Sequence, residues 1–251
     1  MSITTTKIVI LASSSPRRQQ LISSLSLPYR IEVSDVDETT DPGRTPSQIV
    51  EELSERKARA IYERYEREPA QAEDGVIVGS DTIVVLDGNV LGKPRDEEDA
   101  FRMLKRLQGR EHEVYSGVAC IGLADGRTSV AHERTVVRMK PMSDERIRRY
   151  IATREPLDKA GSYAIQGIGA TIVERIEGDY FNVVGLPMSL LSDMLADFFY
   201  CCFFDRVKWY NGCSRITGCR RDGGFVRCRP PGRRKRGMHG IAQYHIARCP
   251  E

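Results

Sequence analysis

Cysteine is scarce where the chain is most regular. Of seven cysteines only Cys120 lies among residues 1–199, and the other six follow Tyr200. No CxxC pair occurs, so the usual paired spacing of a zinc site is missing. No apolar run approaches the roughly 18 residues that a membrane helix needs, which argues against a membrane partner. Met1–Ile10 carries neither a basic start nor a long apolar segment with a cleavage site, and the expected location is the cytoplasm. Other absences remove whole mechanisms. There is no Gly-x4-Gly-Lys-Ser/Thr P-loop, no HExxH zinc motif, no nucleophile elbow with a Ser-His-Asp order, and no internal repeat.

What is present divides into two compositions. The net charge of +3 over 251 residues hides 12 Lys/Arg against 3 Asp/Glu from Tyr200 onward, and 26 against 32 before it. Residues 1–199 are therefore read as one acidic domain, and residues 200–251 as a basic Cys/Arg-rich tail outside it.

The first part alternates β-rich runs with helical patterns, the mark of an α/β domain. Strand-like runs are Lys7–Ala12, Tyr29–Val33, Val76–Leu86, Val114–Leu123 and Arg127–Met139. Thr171–Ile176 and Tyr180–Val184 read as a further strand pair. Asp87–Gly88 and Asp125–Gly126 are hairpin turns. Helices are expected from Pro16 to about Leu25, from Thr45–Pro46 toward Glu66, from Asp96 to Gln108, from Ser143 to about Thr153, and over Pro187–Phe198. Hairpins among strand–helix units imply a mixed sheet.

Three stretches carry chemistry. Ser13-Ser14-Ser15-Pro16-Arg17-Arg18 joins a strand to a helix, where free backbone N–H groups and guanidinium forks suit an anion. An ordinary helix cap with surface arginines explains it equally well. In Val78-Gly79-Ser80-Asp81-Thr82, a carboxylate interrupts an apolar strand, at a cost unless it is paired or used. Lys93 follows across the Asp87–Gly88 hairpin, and the two either serve a metal–phosphate substrate or form a plain salt bridge. Asp158–Gly169 is glycine-rich, with Gln166 able to donate and accept along the edge of a base. Alone, it reads as a structural turn.

Taken together, these stretches resemble the Maf-like nucleotide pyrophosphatases. The pattern comprises Ser13-x-Ser15-Pro16-Arg17-Arg18, Arg56-Lys57-Ala58-x-Ala60, Gly79-Ser80-Asp81-Thr82 and Leu91-x-Lys93-Pro94. It continues with Asp158-Lys159-Ala160-Gly161-x-Tyr163-x-Ile165-Gln166-Gly167 and closes with Gly178-Asp179-Tyr180-x-Asn182-Val183-Val184-Gly185-Leu186-Pro187. The resemblance covers about Ile8 to Ala196. It implies a mixed twisted sheet with flanking helices and a central cleft, of the Maf and ITPase-like kind. It also implies hydrolysis of a nucleoside triphosphate to a monophosphate and pyrophosphate.

By the same resemblance, Asp81 is the proton acceptor, while Arg17, Thr82 and Gln166 govern substrate choice and match the dTTP/UTP branch. Ser13, Ser15, Arg18, Lys57 and Lys93 line the triphosphate site. The cofactor implied is a divalent cation, Mg²⁺ before Mn²⁺, with its ligands left open. A 7-methyl-GTP pyrophosphatase and a non-catalytic nucleotide- or nucleic-acid-binding regulator are the alternatives. Arg17, Thr82 and Gln166 argue against the first, and the joint presence of Asp81, Lys57 and Lys93 against the second.

Other groups read more plainly. Glu38 and Asp99 are further carboxylates open to the metal, with solvated surface acids as the expected reading; His112 and His132 are expected to be surface histidines, and Cys120 a buried thiol. The tail's cysteines and histidines lack zinc spacing. Its run Arg233–Arg236 is the one feature that suits nucleic acid, and the break in composition after Ala196–Asp197 looks like an altered reading frame. A homodimer is open to such a protein, two-fold pairs being common, though no segment marks an interface.

Overall fold

A computed structural model describes residues 7–67 and 74–198. The expected tail lies outside the described residues, as do the readings of zinc, nucleic acid and reading frame attached to it. In chain order the elements are β1 (Ile8–Leu11), α1 (Pro16–Ser24), β2 (Tyr29–Ile31), α2 (Pro46–Arg67), β3 (Gly75–Leu86), β4 (Asn89–Leu91) and α3 (Glu97–Leu107). They continue with β5 (Glu111–Gly122), β6 (Thr128–Met139), α4 (Asp144–Ala152), β7 (Val173–Glu177), α5 (Tyr180–Val184) and α6 (Met188–Phe198).

The strands form a mixed sheet in the order β2-β1-β3-β5-β6-β7, with β4 hydrogen-bonded to β3. β1 runs parallel to β2 and β3, and the remaining pairs are antiparallel. Side chains alternate between the two faces of a strand, and the core divides accordingly. Ile10, Ile77, Ala119 and Ile121 pack under Ala58 and Ile61 of α2. Val9, Leu11, Val76, Val78, Val118 and Cys120 turn to the opposite face, against α1 and α6. Farther along the sheet, Val84, Leu86, Val114 and Val137 meet α3 and α4.

Helix α2 lies close on β3 and β5 because two of the residues beneath it are glycines. A Cβ on Gly79 would stand 2.1 Å from the Ser54 carbonyl oxygen, and one on Gly117 would stand 2.1 Å from that of Val50. This close seat fixes where α2 delivers its side chains.

The register leaves a gap. β1 pairs with β3 as far as Leu11 opposite Val78, and β4 begins opposite Val84 at Leu91. From Gly79 to Ile83 that edge of β3 has no neighbouring strand among the described residues, a slot of about 20 Å between Val78 and Val84 at roughly 3.3 Å per residue. Both faces of the strand open into it.

Tyr180–Val184 corrects the sequence reading, since this aromatic and β-branched run is helix α5 rather than a strand. The Asp179 side chain accepts a hydrogen bond from the Phe181 amide, and Gly185 ends the turn at φ 124°. The buried Asn182 amide then donates to the Val114 carbonyl and to Thr135 Oγ1. Capping and this buried anchor outweigh the strand propensity of the run. The preceding strand begins at Val173 rather than Thr171, because Gly167–Thr171 forms a 3₁₀ turn. Among the described residues, no helix is long and apolar enough to cross a membrane.

Candidate active site

The slot along β3 opens into a cavity of about 1250 Å³ lined by Ser13, Ser15, Arg17, Arg18, Lys57, Asp81, Thr82, Lys93 and Gln166. These are all nine of the expected site residues. They come from the β1–α1 turn, the start of α1, α2, β3, the loop after β4, and the Tyr163–Gly167 loop.

Asp81 sits in mid-strand and is only 8% exposed, which removes the reading of it as a loop carboxylate. Alternation turns it to the α2 face, where Lys57 Nζ donates to its Oδ1 at 2.5 Å. Its ionic partner is therefore Lys57. The plain salt bridge to Lys93, one of the two readings of that hairpin, is not formed, because the β3–β4 ladder stops at Val84 opposite Leu91 and leaves Lys93 beyond it, exposed at the cavity wall. The Lys57 ammonium also holds Glu38 Oε1 at 2.7 Å. Glu38 is exposed, as expected of a solvated acid, and it also lines the cavity. The hydrogen bond from Lys57 lowers its pKa below the ordinary carboxylate value, against the opposing effect of partial burial, and Lys93 and Arg18 add to the lowering.

Ser80 and Thr82 turn to the other face of β3. Arg18 lies over them, its Nε donating to the Gly185 carbonyl at 2.7 Å and its Nη2 to Thr82 Oγ1 at 2.9 Å. Burial lowers the Arg18 pKa from its usual value, against the raising effect of Asp81. The Thr82 hydroxyl is also 2.8 Å from Ser116 Oγ, which donates to the Asn182 carbonyl. Thr82 thus acts first on the position of Arg18.

At the start of α1, Ser15 occupies the cap position with no side-chain cap bond, and Pro16 opens the helix. The Ser13 hydroxyl accepts a hydrogen bond from the Ser15 amide. Arg17 follows, with its Nε buried and unpaired among the described residues. An unpaired buried donor is costly, and Arg17 itself stands in the cavity wall.

The remaining expectations fall outside the cavity. Asp99 is tied to Arg95 and Arg102, whose hydrogen bonds, led by that from the Arg95 backbone, hold its pKa at about 2. His132 bonds Glu51 on the surface. His112, expected at the surface, is 3% exposed, with Nε2 2.7 Å from the Tyr163 hydroxyl. Burial lowers its pKa to about 4. β5 begins at Glu111, earlier than its apolar pattern, and this turns His112 inward. Cys120 is buried as expected, and burial pushes its thiol up to about 12.

The Glu155–Tyr150 pair escaped the sequence reading. Glu155 lies three residues before the Asp158–Gly167 motif.

The family model for "Maf-like protein" matches residues 8–198. A curated relative named dTTP/UTP pyrophosphatase, from Pelotomaculum thermopropionicum, is 49% identical over 194 residues, which cover 77% of this chain and 98% of its own length. Another of the same name, from Caldanaerobacter subterraneus subsp. tengcongensis, is 47% identical over 80% of this chain and 91% of its own. The solved structure of the Staphylococcus aureus Ham1 protein overlaps loosely, at 18% identity and a TM-score of 0.38 over 66% of this chain and 80% of that one. The family match spans β1 to α6 and includes every residue that lines the slot. The chain belongs to the Maf-like protein family.

Proposed function

We propose that this chain hydrolyses dTTP and UTP to the monophosphate and pyrophosphate, with the slot along β3 as its active site. The observation that carries the reading is the Asp81 carboxylate, 2.5 Å from Lys57, inside a cavity that also holds Arg17, Arg18 and Lys93. Relatives named dTTP/UTP pyrophosphatase, at 44–49% identity, support the pyrimidine substrates.

In this reading Asp81 Oδ2, the oxygen turned away from Lys57, takes a proton from water. The water oxygen bonds to the α-phosphorus, the α–β bridging bond breaks, and pyrophosphate leaves with the bond's electron pair. Displacements of this kind need positioning and charge neutralisation more than covalent chemistry. Lys57 and Lys93 supply charge on one side of the slot, Arg17 and the α1 N-terminus on the other. Arg18, with two nitrogens already committed to protein, contributes its charge from a fixed place. Gln166 meets the base, where its amide matches the adjacent carbonyl and N–H of uracil or thymine.

The donor set fits a divalent cation. Asp81 and Glu38 line the cavity side by side, joined through the Lys57 ammonium, and exposed Glu38 offers a hard oxygen donor. Mg²⁺ is commonly held by one or two carboxylates together with substrate phosphates. Glu38, with the substrate phosphates, would hold it and leave Asp81 Oδ2 to the water, and when bound it would neutralise phosphate charge.

The test is pyrophosphate release from dTTP, UTP, CTP, GTP and 7-methyl-GTP with Mg²⁺, comparing wild type with Asp81→Asn. Release from dTTP and UTP that falls by about 10²–10⁴-fold in the variant is expected of a lost proton acceptor. Equal turnover by the variant would remove Asp81 from the mechanism. Preference for 7-methyl-GTP would overturn the assignment of the base.

A further inference from the structure

We propose that Glu155, acting with Tyr150, is a positioning residue that sets the preference for pyrimidine over purine, an inference that rests on the function proposed above. Gln166 sits on a short segment held on both sides by this pair. Before it, the Ala164 amide donates to the Tyr150 hydroxyl at 3.1 Å. After it, the Ile168 amide donates to Glu155 Oε2 at 3.0 Å and the Gly169 amide to Glu155 Oε1 at 2.8 Å. The clamp closes on itself, because the Tyr150 hydroxyl donates to Glu155 Oε1 at 2.9 Å.

The surrounding backbone is shaped to this arrangement. Arg154, just before Glu155, turns at φ 65°, a left-handed conformation uncommon for a residue with a side chain. Lys159 Nζ holds the Glu155 carbonyl at 2.6 Å. Gly167 adopts φ 63°, and a Cβ there would lie 2.5 Å from Glu155 Oε2. A Cβ on Gly169 would lie 2.1 Å from the Ala164 carbonyl oxygen and 2.7 Å from the Tyr150 hydroxyl. Burial raises the Glu155 pKa, but the hydrogen bonds from Gly169, Tyr150 and Ile168 outweigh it and leave the group below its ordinary value. The carboxylate is therefore the form that accepts all three bonds.

The chemistry of the bases says why such a clamp matters. Uracil and guanine both present a carbonyl oxygen beside a ring N–H, and a glutamine amide satisfies either pattern. What separates them is distance, since the second ring of a purine carries that edge farther from the sugar. With the phosphates anchored at Lys57 and Lys93, a Gln166 fixed in space accepts the pyrimidine edge and meets the purine edge too early. A segment free to retreat would accept both.

The experiment compares the ratio of kcat/KM for UTP to that for GTP in wild type, Glu155→Ala, Glu155→Gln and Tyr150→Phe. The ratio is expected to fall by roughly tenfold or more in Glu155→Ala, the scale of a misplaced binding group. The fall should come mainly from a higher KM for UTP and a lower KM for GTP, with kcat for UTP within about threefold. Glu155→Gln, which keeps one acceptor oxygen, should recover part of the ratio. Tyr150→Phe should shift it the same way, and serves if Glu155→Ala does not fold. An unchanged ratio in folded variants, or an equal loss on both nucleotides, overturns the inference and leaves the proposed function standing. Wild type that releases pyrophosphate from neither nucleotide overturns the proposed function, and this inference with it.

Discussion

Replacing Gly79 with alanine tests the seat of α2 and the site at once. The added methyl carbon would stand 2.1 Å from the Ser54 carbonyl oxygen and 2.8 Å from the Ala58 amide nitrogen, both backbone atoms of the helix. Ordinary contact begins near 3.4 Å, so α2 must retreat by about 1.3 Å. Overpacking of this kind costs about 1–3 kcal/mol. At roughly 2–4 °C per kcal/mol for a domain of this size, the melting temperature should fall by about 2–12 °C. Lys57 directly precedes Ala58 and rides on the same turn. The same retreat would lengthen its 2.5 Å contact with Asp81 to as much as about 3.8 Å, beyond hydrogen-bonding range. A displacement near 1 Å in a catalytic arrangement costs on the order of 10²-fold in rate. Thermal unfolding and pyrophosphate release from UTP measure the two effects. Gly92→Ala is the control for stability, because nothing lies within 4 Å of the added carbon. Wild-type melting and wild-type turnover in Gly79→Ala would refute both the close seat of α2 and its role in placing Lys57.

Two further outcomes follow from buried groups. The His112 pKa, about 4 in the folded chain against an ordinary 6.5, makes the histidine a liability in mild acid. Above about pH 6.5 it is neutral in both states; as pH falls toward 4 only the unfolded chain takes up the proton, so stability declines by up to about 3 kcal/mol. Denaturant midpoints from about pH 7.5 to 5 should fall more steeply for wild type than for His112→Gln, and parallel profiles would refute the assignment. For Cys120, with its thiol pushed up to about 12 and its side chain fully buried, alkylation mapped by peptide mass should leave this position unmodified until the domain unfolds. Labelling in the native state would show that α6 opens.

Periodicity made most of the fold legible. β1, β3, β5, β6 and the larger helices announce themselves by alternation or by a helical stripe. The residues that line the cavity were legible as motifs, but their partners were not. Asp81 and Lys57 lie 24 positions apart, and their meeting depends on how near α2 approaches β3. That depends in turn on glycines at 79 and 117, whose packing role no local pattern reveals. Glu38 could be named but not placed, because it lies in an irregular segment. Tyr180–Val184 misled because aromatic and β-branched residues favour strands, although Asp179 before the run and Gly185 after it are the cap and stop of a short helix. His112 misled because the strand begins earlier than its apolar pattern.

The gap beside Gly79–Ile83 explains why three consecutive residues carry different work. A paired strand would offer a ligand only one of its faces. Here β1 has ended and β4 has not begun, so Asp81 reaches the cavity from the α2 face, while Ser80 and Thr82 meet Arg18 and the Gly185 carbonyl from the other. The arrangement depends on register. A slip of one residue turns every side chain of a strand to the opposite face, which would place Asp81 against Arg18 and Thr82 against Lys57. The long ladder from Val76 opposite Gly122 to Val85 opposite Glu113 resists such a slip. So does Gly79, because a slip would bring a side chain under Ser54 where only hydrogen fits. The residue that seats the helix therefore also holds the carboxylate on the face where its lysine waits.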